Sequence, residues 1–259
     1  MKTNSTLSLL CFSLLLSAPA LSQNNRISKL ELKGKEIFIV GPTNMLLVDT
    51  LIMHDKSTIK FSPATQSILQ ANVAYIGNKC TFSSRGMNGE DANKESSGSP
   101  GQDGGDLVLI MYLNEVGSLT IDTRGGKGGN GKNGSNGAKG EPERTEQRAV
   151  KGPDGKYTIE TVFIPPKLGT DGTNATTGFA GGFGGNIQLI YSTNGFVPIF
   201  NNSKGKNRIM IENSAGNPGR NGRPGKGGLG SMDGRLIEVA TYKTFDGELR
   251  IEKVESITL

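Results

Sequence analysis

His54 is the one histidine in a 259-residue chain that holds two cysteines. It follows the strand-like "TLIM" and precedes Asp55 and Lys56 in a turn. A zinc site of the usual kind needs more ligands than His54 and Cys80 supply. Cys80 opens the alternating stretch "CTFSS" and reads as a small buried side chain, since a nucleophile there would need a basic partner to activate it. Two carboxylate pairs, Asp103 with Asp106 and Asp122 with Asp171, are candidates for acid–base work on an acidic polysaccharide. Asp beside Gly serves turns equally well. The glycine-rich runs lack the Gly-Lys-Ser/Thr of a phosphate loop, and no repeated Gly-Gly-x-Gly-x-Asp calcium frame occurs. The residues therefore suggest no enzyme, no metal and no cofactor. A polysaccharide-active enzyme stands as the alternative.

Binding chemistry has one candidate. Lys204, Lys206, Arg208, Arg220, Arg223 and Lys226 are opposed only by Glu212. Such a basic set suits an anionic surface glycan or a surface protein. The plainer reading is a solvated face, or a partner for the acidic glycine-rich segment at 86–106. Nucleic acid is disfavoured, because Phe196 and Phe200 are the only aromatics nearby for stacking bases.

These residues must be placed by a chain that begins with an export signal. Lys2, the apolar run Leu7–Leu16 and the small residues at Ala18-Pro19-Ala20 or Ala20-Leu21-Ser22 make residues 1–22 a secretory signal. Cleavage takes the basic count from 29 to 28 against 24 acids, a net charge of +4. It also removes Cys11, so Cys80 has no disulfide partner within the chain. No later apolar run approaches membrane-spanning length, and residues 23–259 read as a single β-rich domain at the cell surface, in the periplasm or outside the cell.

Short β-type runs recur in pairs: "KLEL" with "IFIV", "TLIM" with "STIKF", "VAYI" with "CTFSS", "LVLIMYL" with "LTIDT", "IQLIY" with "IMIEN", and "LIEVATY" with "LRIEK". The second member alternates apolar with polar, the pattern of a half-buried strand. Ile59 to Phe82 spans 23 residues and Leu51 to Val73 spans 22, the size of one coil of a parallel β-solenoid. The pattern resembles right-handed parallel β-helix proteins of bacterial surfaces. The expected fold is all-β and parallel β-solenoid-like, with an antiparallel β-sandwich as the alternative.

Four glycine-rich segments interrupt this repeat: 86–106, 125–142, 169–186 and 216–230. In "GGKGGNGKNGSNGAKGEP" every third residue is Gly. A three-residue-per-turn extended helix then has one face without side chains, which another backbone can approach. The segments resemble exported bacterial glycine-rich proteins of the collagen-like or polyglycine-II kind. Short, proline-poor arms within one chain suit an intramolecular polyglycine-II bundle, hence a monomer, better than a collagen trimer. A disordered linker is the remaining alternative. Pro153-Asp154-Gly155 predicts a hairpin between the second and third segments. The function expected from all this is structural or adhesive.

Overall fold

The computed structural model describes residues 26–202 and 204–257; the signal segment lies outside the described residues. The fold is all-β, with no helix among those residues. Along the chain, β1 (Ile27–Leu32) is followed by β2 (Ile37–Ile39), β3 (Met45–Met53) by β4 (Thr58–Lys60), and β5 (Ser67–Ile76) by β6 (Cys80–Ser83). Next come β7 (Leu107–Val116) and β8 (Ser118–Asp122), then a hairpin of β9 (Arg144–Lys151) and β10 (Tyr157–Ile164), and the short β11 (Ala175–Thr176). The rest are β12 (Ile187–Thr193), β13 (Ile199–Phe200), β14 (Arg208–Glu212), β15 (Leu236–Ile237) and β16 (Leu249–Lys253).

Successive strands alternate between two six-stranded sheets. One has the order β1-β3-β5-β7-β12-β16, the other β2-β4-β6-β8-β14-β13. Every pairing in both sheets is parallel. An antiparallel sandwich is therefore excluded, and the antiparallel contacts are the β9–β10 hairpin with the Glu141–Lys167 bridge at its base. Parallel neighbours in register stack like side chains. Leu69, Leu109, Leu189 and Ile251 form one row, and Phe38, Ile59, Phe82, Ile121 and Ile211 form another. Ile59 lies on Phe82 as its spacing predicts, whereas Leu51 lies on Ala74, one residue beyond Val73. Alternate residues of β5 and β7 are fully buried between the sheets, with Leu69, Leu109, Met111 and Leu113 at 0% exposure. Each such side chain contributes about 1.5–3 kcal/mol.

The first three turns from a strand of the first sheet to the next of the second share one conformation. Lys35, Lys56 and Lys79 all have positive φ (68°, 66° and 58°). The stacked turns are bonded: Lys35 N–H donates to the Asp55 carbonyl and Lys56 N–H to the Asn78 carbonyl. On the opposite side Asn44 is fully buried. Its amide donates to Ser62 O and Ser67 Oγ, and its Oδ1 accepts from Ser62 N–H. The side chain thus replaces the backbone partners that two neighbouring loops lack.

The glycine-rich segments all leave from one corner, between a strand of the second sheet and the following strand of the first. They form three out-and-back excursions rather than four separate arms. The first lies between β6 and β7, with an outgoing leg at 86–92 and a return leg at 99–105. The second lies between β8 and β12, runs out along 124–140, bears the β9–β10 hairpin at its tip and returns along 167–186. The third lies between β14 and β16, running out along 213–228 and back along 232–247. The predicted strand "LIEVATY" belongs to this last return leg. Only Leu236–Ile237 of it pairs as a strand, with β11 inside the stack, and re-entry into the sheet occurs at Leu249.

Candidate functional site

The six legs are joined by backbone hydrogen bonds at three-residue intervals. From the second outgoing leg, Gly125, Gly128, Gly131, Gly134 and Gly137 N–H donate to Ser214, Asn217, Arg220, Arg223 and Lys226 carbonyls at 2.8–3.0 Å. From the third outgoing leg, Gly216, Gly219, Gly222, Gly225 and Gly228 donate to Gly182, Phe179, Thr176, Thr173 and Thr170 at 2.8–3.0 Å. Partner numbers rise together in the first set and run oppositely in the second, so outgoing legs are mutually parallel and antiparallel to the return leg.

Glycine sits where a neighbouring backbone leaves no room for Cβ. A Cβ on Gly128 would lie 2.1 Å from Phe179 O, and one on Gly126 or Gly129 would lie 1.8 or 1.7 Å from Met87 O or Glu90 O. The doublets 125–126 and 128–129 therefore face two excursions at once. The first excursion ends at Ala92, whose N–H donates to Asn130 O. Beyond that level the same row becomes Lys132, Ser135 and Ala138, and single glycines suffice.

Other N–H groups of the legs are taken by side chains. Asn130, Asn133 and Asn136 accept from Arg220, Arg223 and Lys226 N–H at 2.8–2.9 Å. Thr176, Thr173 and Thr170 accept from Lys132, Ser135 and Ala138 at 2.7–2.8 Å. On the second return leg, Asp171, Asn174 and Thr177 accept from Met232, Arg235 and Val239. The next positions of that row, Ala180 and Phe183, offer no acceptor. The ladder resumes at Asn186, which takes Glu248 N–H.

The third return leg leaves the stack at this gap. Gly172 and Gly184 N–H reach Met232 and Phe245 carbonyls, but the buried Gly181 N–H between them has no partner among the described residues. Gly178 N–H is taken instead by Asn221 Oδ1 at 2.9 Å. Opposite the gap, Pro218 carries no N–H to be orphaned. A groove of about 560 Å³ results, lined among others by Thr177, Ala180, Asn221, Glu238, Tyr242 and Lys243. Beside it Phe183 stacks on both Tyr242 (5.8 Å) and Phe245 (6.4 Å). Tyr242 is 50% and Phe245 59% exposed, and the Lys243 ammonium stands 5.3 Å over the Phe245 ring. Exposed aromatics beside convergent polar groups are what a ligand site offers. The sequence signal was available: two non-acceptors interrupt a row of Asp, Asn and Thr spaced by three.

The basic residues divide into two groups. Arg220, Arg223 and Lys226 recur at every third position of the third outgoing leg, and of the adjacent row Pro218 and Asn221 line the groove. Lys204, Lys206 and Arg208 lie at the far end of β14; Arg208 and Arg220 are separated by about 35–40 Å of extended chain. Hydrogen bonds join the first excursion to the second, so its acidic segment is not the partner of the basic third one. The ion pairs at the foot of the stack are Arg124 with Asp122 (2.8 Å) and Glu212 (2.7 Å). The Asp122 hydrogen bond and both carboxylate charges raise the Arg124 pKa.

The candidate carboxylates hold structure. Asp103 and Asp106 accept N–H of Phe183 and Asn186, both at 2.8 Å. Asp122 holds Arg124, and Asp171 accepts Met232 N–H. Asp171 lies near Gly137, about 14 residues or roughly 43 Å out along the stack from Thr123, the residue after Asp122; that pair does not converge. His54 Nε2 lies 3.0 Å from Glu31 Oε1 on the exposed surface. The Glu31 carboxyl is held down to about 2, chiefly by its Lys29 hydrogen bond and then by that of His54. Cys80 is fully buried, and burial pushes its thiol pKa up. No helix among the described residues is long and apolar enough to cross a membrane. Comparison with protein-family models, curated proteins and solved structures finds no match to the chain.

Proposed function

We propose that the protein is an exported, non-catalytic structural or adhesive molecule. Its two parallel sheets act as successive coils of a β-solenoid body, and its three excursions act as a polyglycine-II stalk. Export rests on residues 1–22. Non-catalytic action is supported by the structural duties of Asp103, Asp106, Asp122 and Asp171. The ligand is a surface glycan, taken in the groove beside Tyr242.

The observation that carries this reading is the break in the hydrogen-bond array at 240–244, between Val239 and Phe245. A regular lattice gives up bonds there and exposes aromatic residues. Departures from local rules of this kind are expected at functional or strained sites. Lys243 in the groove lining, with Arg220 next to Asn221 and Arg223 and Lys226 further out along the same leg, favours acidic over neutral sugars.

Titration calorimetry of the mature protein with carboxylated, sulfated and neutral oligosaccharides tests the assignment. Tyr242→Ala is expected to weaken binding tenfold or more, and Arg220→Ser with Arg223→Ser to remove the preference for acidic chains and its salt dependence. Absence of binding by all three sugar classes at millimolar concentration would sink the glycan reading. Release of new reducing ends, abolished by Asp103→Ala, would restore the enzyme.

A further inference from the structure

The hairpin at the tip of the second excursion has two open edges, and a two-stranded ribbon is marginal in water on its own. Within the hairpin Gly152 N–H donates to Lys156 O, and the register pairs Val150 with Thr158 and Arg148 with Glu160. Hydrogen-bonded pairs alternate along an antiparallel ladder. The even residues of β9 therefore bond to β10, and the odd residues, Thr145, Gln147 and Ala149, turn their N–H and C=O groups to the free edge.

The side chains along that edge form a charge palindrome centred on Gln147. Reading outward from it, Glu146 mirrors Arg148, Thr145 mirrors Ala149, Arg144 mirrors Val150 and Glu143 mirrors Lys151. The segment 141–167 is neutral, with five acids (Glu141, Glu143, Glu146, Asp154, Glu160) against five bases (Arg144, Arg148, Lys151, Lys156, Lys167). The whole chain carries +5. A neutral tip on a basic molecule selects neither an acidic nor a basic partner, and it lets two copies approach without repulsion.

We propose that two copies of this chain join tip to tip. The free edge of β9 pairs antiparallel with the same edge of the second copy, about a two-fold axis through Gln147. Gln147 then faces its counterpart as a hydrogen-bonded pair. Glu146 of each copy faces Arg148 of the other in the closer, non-hydrogen-bonded position. Glu143 faces Lys151 across the same edge. The product is a four-stranded antiparallel sheet in the order β10-β9-β9-β10, past the size at which a sheet with an apolar face becomes stable. Its exposed face collects Tyr157, Ile159 and Phe163, which are 70%, 73% and 60% exposed in one copy. The closed two-fold contact stops at a dimer.

Edge pairing buries little surface, so the dimer is weak. It is to be sought by sedimentation velocity of the mature protein from about 1 to 500 µM. Sedimentation is expected to shift from monomer to dimer over this range. Gln147→Pro removes an N–H that only the dimer uses, and Pro is tolerated at a free edge; it is expected to abolish the shift. Glu146→Lys is expected to raise the dimer Kd at least tenfold, and Glu146→Lys with Arg148→Glu to restore it. In oxidising buffer Gln147→Cys is expected to give a disulfide dimer, since hydrogen-bonded pairs bring Cα atoms to about 5.5 Å. Thr145→Cys, whose partner would be Ala149, is expected to cross-link far less. A chain monomeric to 500 µM, or equal cross-linking at positions 147 and 145, overturns the proposal.

Discussion

Replacing Gly128 by Ala tests whether the stack is as tight as its backbone contacts imply. The added Cβ would lie 2.1 Å from Phe179 O and 2.4 Å from Ala180 O. Ordinary contact begins near 3.4 Å, so the legs must separate locally by 1.3 Å (3.4 − 2.1). That movement breaks the bond from Phe179 N–H to Gly129 O, now 3.0 Å, and strains the bond from Gly128 N–H to Asn217 O, now 2.9 Å. The broken bond costs about 1–3 kcal/mol, and the strained one adds to it. The Gly41 Cβ position has nothing within 4 Å, so Gly41→Ala serves as the matched control and should change stability by less than about 0.5 kcal/mol. Urea unfolding gives the global effect, and hydrogen exchange at Gly125, Gly131 and Phe179 gives the local one. Those amides should be strongly protected in the parent protein and lose protection in Gly128→Ala but not in Gly41→Ala. A cost below 1 kcal/mol with protection unchanged would refute the close approach of the legs. Free exchange of these amides in the parent protein would refute the bundle altogether.

Asn133→Ala removes the acceptor for Arg223 N–H at an exposed site, so a loss of about 0.5–1.5 kcal/mol is expected. Faster exchange should be confined to Arg223, and Asn133→Asp, which keeps an acceptor, should restore protection. Cys80 should resist iodoacetamide in the folded mature protein at pH 8 and react fully in 6 M guanidinium; fast labelling of the folded state would contradict its burial. Glu31 has a folded pKa below its unfolded value. Its stabilisation is thus complete above about pH 4.5 and is lost as pH falls towards 2. Amides of β1 should therefore exchange faster, relative to the intrinsic rate, at pH 2.5 than at pH 6, and Glu31→Gln should remove that difference.

Much of the body could be read directly from side-chain alternation. β3, β5, β7 and β12 bury every second residue for most of their length, because a strand between a core and an outer face must alternate. The 23-residue step from Ile59 to Phe82 gave the parallel register for the same reason. The Leu51–Val73 spacing falls one residue short of the Leu51–Ala74 pairing because β3 and β5 are long apolar strands in which either neighbour fits the pattern. The glycine triplets announced a bare face. They did not say how many neighbours each leg has, since a doublet and a single glycine differ only by what packs on the second side. Nor could they mark the third return leg, where Asp, Asn and Thr side chains on the neighbouring leg take over as acceptors. The groove was missed for a related reason: it is defined by what Ala180 and Phe183 fail to provide to a leg sixty residues away.

By itself, the sequence determined local geometry: alternating strands, a hairpin turn at Pro153-Asp154-Gly155, and extended legs with a face too bare to repel another backbone. These follow from the steric and hydrogen-bonding properties of each residue and its near neighbours. Tertiary structure decided the pairing. It set the outgoing legs parallel and the return legs antiparallel, parted the basic residues into two groups, and gave Asp103, Asp122 and Asp171 separate structural duties. It also left the Gly181 N–H unmatched beside the groove that holds Tyr242. Those outcomes depend on which distant carbonyl lies opposite each donor, and only the stacking of three excursions on one corner of the sheets fixes that.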